Sequence, residues 1–199
     1  MNFIEELREQ RWDDHRYYHH SRINQSLHLL SAMCFMTSYA LLLLNFEQPT
    51  AAVVFGWIIA MWSRQIGHFF FEPKGYDEVN EASHEYKEAI KVGYNLRRKV
   101  VLMSLWALAP LLLYLNPSFL GFLEPHTNWS GFIDNLARIW LALAIGALLF
   151  RTLHLFKLKG IQSGLVWMVK ILTDPFNDIK QYYKAPLYLM RREMLDPMT

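Results

Sequence analysis

Eight histidines mark this chain, and four of them, His15, His19, His20 and His28, fall close together near its start. The others are His68, His84, His126 and His154. A neutral imidazole is the commonest side-chain ligand for transition metals, so several converging on one place would make a metal site. Spacing sorts the candidates. On one continuous helix His20, Asn24 and His28 recur every fourth residue and share a face, whereas His19 lies nearly opposite His28. His19 can therefore meet His28 only across a helix boundary or a bend. Further on, Gln65, His68 and Glu72 form a stripe at i, i+3 and i+7, which gives an imidazole polar partners for its outer nitrogen. Arg64 stands one turn before His68; it suits a carboxylate or an anionic headgroup, or simply reaches the membrane interface.

Glu81-Ala82-Ser83-His84 is one copy of the E-x-x-H spacing, of which carboxylate di-iron bundles need two. No second copy occurs. His84 remains a candidate ligand with Glu81, Glu85 or Glu88 as acceptors behind it, although a solvated helix face explains these glutamates equally well. GxSxG, Walker, GxGxxG and HExxH sequences are absent. The histidine boxes HxxxH and HxxHH do not occur as a set.

The elements that must position these groups follow from the distribution of charge. The chain has 199 residues, 53% of them hydrophobic and 19% charged, with a formal charge of +2. One cysteine, Cys34, excludes an internal disulfide framework and a CxxC site. The small net charge, with no basic cluster interleaved with aromatics, argues against nucleic acid as a partner. The 15% aromatic content argues against disorder. Charged residues leave four long gaps, which predict spans at about residues 24–45, 51–71, 100–115 and 136–155. Pro110 falls inside the third, where a transmembrane helix tolerates it.

Of the 20 basic residues, 17 lie before the first span, between the second and third (Lys74, Lys87, Lys91, Arg97, Arg98, Lys99) or after the fourth. The positive-inside rule then places both termini and the middle loop in the cytosol. Seven of the eight histidines fall on that face; His126 is the exception. The fold expected is all-α: one integral membrane four-helix domain with short interfacial helices and a polar cytosolic extension over 157–199. Within that extension GIQSGLVWMVKIL reads as a helix too short to cross, closed by Asp174-Pro175.

At these residues a resemblance emerges. HHSRINQSLH, an apolar hairpin, and then RQIGHFFFE resemble the Mpo-like family of small membrane proteins, whose pattern is His, four residues, Asn, three residues, His, then Gly-His with a following Glu. On this chain the pattern selects His19, Asn24, His28, Gly67, His68 and Glu72, over roughly residues 12–76. The resemblance implies an Fe(II)-dependent dioxygenase that acts on 2-hydroxy fatty acids in α-oxidation and removes one carbon. The expected metal ligands are His19, His28 and His68, joined by His84 or His154. Arg64 is the expected counter-charge for the substrate carboxylate, with Asn24 and Glu72 orienting ligands from behind. Dioxygen and a membrane lipid or fatty acyl substrate are the implied partners, at a cytosolic-side site in a bacterial inner membrane or the endoplasmic reticulum. Two other classes stay open: a membrane lipid hydroxylase or desaturase, and a membrane scaffold or small transporter.

Overall fold

The computed structural model describes residues 1–72, 75–78, 80–90, 92 and 96–197, without the side chains of 88, 96 and 97. Lys74 and Lys91, and the side chains of Glu88 and Arg97, thus lie outside the described residues. Those residues form an all-helical protein whose isolated backbone bridges are Ser21 with Leu195 and Asp77 with Ala82.

Helix α1 (Phe3–Tyr18) begins at a reciprocal cap. The Asn2 side chain accepts the Glu5 N–H at 3.0 Å, and the Glu5 carboxylate accepts the Asn2 N–H at 2.8 Å. The helix ends where His19 leaves helical conformation, and Ser21 then caps α2 (Arg22–Leu44). Two side chains from the first turn of α2 tie this joint. Asn24 Nδ2 donates to the Tyr18 carbonyl and Gln25 Nε2 to the His19 carbonyl, both at 2.8 Å, satisfying acceptors that the end of α1 leaves open. At about 1.5 Å per residue, α2 is about 35 Å long.

The next helical stretch has three parts: α3 (Thr50–Val53), a π-helical segment (Val54–Ala60) and α4 (Met61–Phe70). Bonding to the fifth residue in the π segment turns the face of α4 away from a straight continuation of α3. α4 packs against α2 with Gly67 over Asn24; a Cβ at Gly67 would overlap Asn24 Oδ1 and stand 3.7 Å from the Asn24 Cα. After α5 (His84–Ile90), α6 (Leu96–Leu115) runs unbroken through Pro110, and α7 (Trp129–Lys159) returns beside it. Ala109 and Leu113 of α6 pack with Phe132, Leu136 and Ile139 of α7.

Among the described residues, three helices are long and apolar enough to cross a membrane: Arg22–Leu44, Arg98–Leu115 and Trp129–Lys159. Their large apolar side chains, such as Leu43, Leu108, Leu111, Leu115, Leu149 and Leu153, are exposed rather than packed inward. That arrangement suggests a membrane protein, since a soluble bundle buries such a surface. The stretch expected as the second span, 51–71, is helical but is not among these three.

The sequence reading of the last segment is corrected. Gly160, at φ 93°, turns the chain directly from α7 into α8 (Ile161–Tyr182), which does not stop at Asp174-Pro175 but continues through it. Proline removes one donor, leaving the Ile171 carbonyl without its usual bond. Hydroxyls add donors to neighbouring carbonyls: Tyr39 reaches the Leu172 carbonyl at 3.3 Å and Thr173 the Val169 carbonyl at 2.5 Å. After α9 (Ala185–Met190) the chain returns to the α1–α2 joint. The Arg22 N–H donates to the Met194 carbonyl at 2.9 Å and the Asp196 N–H to the His20 carbonyl at 2.8 Å. The Asp196 carboxylate accepts from Arg22 and Gln25.

Candidate metal centre

His19, His28 and His68 come together where the α1–α2 joint meets α4, each offering one nitrogen within 4.8 Å of the others. The helix break expected from their spacing is present, and it is what lets His19 face His28. Ring centroids are 4.1 Å apart for His19 and His28, 4.9 Å for His28 and His68, and 5.3 Å for His19 and His68. His19 and His28 are each only 2% exposed.

The hydrogen bonds on the outer side of the cluster define which nitrogens face inward. His19 Nδ1 lies 2.8 Å from the Asp14 carbonyl, which can only accept, so Nδ1 carries the proton and Nε2 presents its lone pair. His68 Nδ1 lies 2.6 Å from the Glu72 carboxylate and is held in the same sense. His28 Nδ1, 3.6 Å from the Asp178 carboxylate, has no hydrogen bond among the described residues, and its Nε2 faces that of His19 at 3.1 Å. Burial, reinforced by the neighbouring His28, pushes the His19 imidazole down to about 3, so it is neutral at physiological pH. Converging imidazole nitrogens, two of them on rings fixed by a carbonyl (His19) and a carboxylate (His68), are the kind of donor set that a divalent transition metal takes. The residues present therefore fit Fe(II), without distinguishing it from other imidazole-binding metals.

Asn24 and Gly67, the other residues of the pattern, build the crossing that holds the ligands. Asn24 is fully buried, anchors the joint beside His19, and fills the space left by the missing Cβ of Gly67, next to His68. Gly67→Ala is expected to destabilise the protein by about 1–3 kcal/mol and to weaken metal retention about tenfold or more. Thermal unfolding and metal content check this; unchanged values would show that α2 and α4 do not depend on this close approach.

The remaining candidates stand elsewhere. His84 is exposed at the start of α5, and His154 Nδ1 lies 3.2 Å from Arg151 Nη1 on α7. His15 and His20 have structural partners, Tyr182 Oη and Asp77 Oδ2, each at 3.1 Å, which separates both from the cluster. Arg64 forms an ion pair with Asp178 while lining the same cavity as His28 and His68.

Sequence reasoning missed the acidic partners on α8. Lys170, Asp174, Asp178 and Tyr182 recur every fourth residue and form one stripe facing the cluster. Lys170 Nζ bonds Asp174 at 2.8 Å and Asp14 of α1 at 3.0 Å, and Arg11 approaches Asp174 at 4.0 Å. Burial alone would lower the Lys170 ammonium, but Asp14 and Asp174 outweigh it and hold the group above the usual lysine value. Burial raises Asp178 above the ordinary carboxylate range against the pull of Arg64. The signal lay in the four-residue repeat, hidden by taking Pro175 as a stop.

A cavity of about 510 Å³ begins at this polar end, where His28, His68, Arg64, Lys170 and Asp174 line it. It continues along Phe35, Leu42, Val53, Trp57, Met61 and Trp140. From His28 to Leu42 the α2 wall is about 21 Å long, the reach of a long acyl chain. Compared with known proteins, the chain matches no family model, no curated protein and no solved structure.

Proposed function

We propose that this chain is an integral membrane, Fe(II)-dependent dioxygenase that shortens 2-hydroxy fatty acids by one carbon, as the motif resemblance implies. One observation carries the reading: of three converging imidazoles, two, His28 and His68, line the polar end of a long apolar cavity. Bound Fe(II) would supply the redox chemistry through which dioxygen reacts with an organic substrate. His19, His28 and His68 would hold it through their inward nitrogens, with the Asp14 carbonyl and Glu72 fixing two of the rings. Arg64 binds the substrate carboxylate, which takes the place of the Asp178 carboxylate on the guanidinium. Phe35, Leu42, Trp57 and Met61 then enclose the acyl chain and exclude water from the reacting end. A 2-hydroxy acid and dioxygen together contain the atoms and electrons of the acid one carbon shorter, carbon dioxide and water.

Four crossings fit this reading. α1 contacts α8 through Arg11 with Asp174 and Asp14 with Lys170, which supports a reading in which the helices before the first span and after the last share one side of the membrane. On that reading the number of crossings is even, and the 50–70 helix, joined to the three apolar ones, is the fourth. The basic residues put that side in the cytosol.

The test uses full-length protein purified anaerobically with ferrous iron and supplied with a long-chain 2-hydroxy fatty acid. Iron retention near one per chain, oxygen uptake and a product one carbon shorter are expected. Protein that neither retains iron nor consumes oxygen with any 2-hydroxy acyl substrate refutes the assignment. Two irons per chain, with product of undiminished carbon number, identify a hydroxylase or desaturase instead.

A further inference from the structure

A second cavity, of about 920 Å³, lies between α6 and α7 and shares Leu102 and Ala147 as wall residues with the first. It opens outward, where Val101, Leu105, Leu112 and Phe150 are exposed. Along its length the lining is apolar; its polar residues are Arg98 and His154 at the end nearer the histidine cluster and Arg138 at the other. The apolar stretch of α6 begins at Arg98, so this end of the cavity stands at the depth of lipid headgroups. From Arg98 to Leu112 the groove runs about 21 Å.

The chemistry of its mouth selects an anion. His154 Nδ1 faces Arg151 Nη1 at 3.2 Å, and a guanidinium only donates, so Nδ1 accepts and the proton resides on Nε2. The imidazole therefore offers a donor. Arg98, Arg151 and Lys157 all stand close enough to act on it electrostatically. No carboxylate lines the cavity among the described residues, so a zwitterionic headgroup would find a partner for its phosphate and none for its ammonium.

We propose that the α6–α7 groove binds an anionic phospholipid of the bilayer, its phosphate at Arg98 and His154 and one acyl chain along Leu105, Ala109, Leu143 and Gly146. The site is separate from the proposed iron centre and stands whether or not the three imidazoles hold a metal.

The test reconstitutes the full chain into vesicles of equal phosphatidylglycerol and phosphatidylcholine, then extracts it in mild detergent for native mass spectrometry. Wild type is expected to retain phosphatidylglycerol at least about fivefold over phosphatidylcholine, the scale of a basic residue at a lipid surface. The double variant Arg98→Gln with His154→Gln should lose that preference. Gly146→Leu should lower retention as well, because a Cβ at this groove-lining position meets nothing within 4 Å, so the added side chain takes space from the acyl chain. Helix content by circular dichroism establishes that each variant is folded. Equal retention of the two lipids by wild type overturns the proposal whatever the variants do. So does undiminished phosphatidylglycerol binding by folded variants, or equal thermal stabilisation by inorganic phosphate alone.

Discussion

His28→Ala and His68→Ala are each expected to purify with almost no iron under conditions in which wild type retains it. Each removes one of three inward-facing nitrogens, and the two that remain cannot close a coordination shell. The loss in affinity should exceed the roughly 10–100-fold typical of losing a group behind a ligand. Glu72→Gln supplies that lesser case, since it leaves His68 in place and removes only the charge at its Nδ1. A graded series, with wild type above Glu72→Gln and Glu72→Gln above the two alanine variants, distinguishes a metal centre from a cluster of structural histidines. Elemental analysis with far-UV circular dichroism on each protein reads it out. Full iron in both alanine variants would remove the centre. His84→Ala and His154→Ala serve as controls and should keep their iron, because neither side chain stands in the cluster.

Asp178→Ala is expected to cost about 3–5 kcal/mol, the range for stripping one partner from a buried ion pair. The Arg64 and Asp178 side chains are only 18% and 10% exposed, so water replaces little of the lost interaction. The double variant Arg64→Met with Asp178→Leu should recover most of that stability, because no charge is left stranded in an apolar wall. Under the proposed function it should nevertheless be inactive toward 2-hydroxy acids while keeping iron. Thermal unfolding of the single and double variants, with oxygen uptake, completes the cycle. A single variant as stable as wild type would place Arg64 in contact with water or lipid headgroups, and its role as an internal counter-charge would fall.

Both substitutions concern groups whose visibility in the sequence differs sharply. The phase of an ideal helix already separates His19 from His28, so any contact between them demanded a break, and Ser21 supplies the cap that starts a second helix there. His68 and Glu72 were legible from their four-residue separation, although α4 ends at Phe70 and Glu72 reaches back to His68 from just beyond the C-cap. Asp178 was not, because a proline inside a helix is normally disruptive and Pro175 masked the repeat running through it. Its pairing with Arg64, 114 residues away, is a tertiary contact without local signal. The π segment between α3 and α4 likewise has no mark in an apolar run that suits an ordinary helix equally well. His154 was chosen by side of the membrane and His84 by that side together with a single E-x-x-H spacing, and neither criterion measures distance within the plane.

The return of residues 194–196 to the joint between α1 and α2 sets an order of events during synthesis. His19 and His28 are made some 150 residues before Asp178, which stands beside His28, and the joint that orients them is braced by the still later Met194 and Asp196. Every apolar helix must be made and inserted before these contacts can form. Under the proposed function metal loading should accordingly follow synthesis of residues 194–196, and nascent chains stalled before residue 178 should expose their imidazoles without the contacts that shield them in the finished fold.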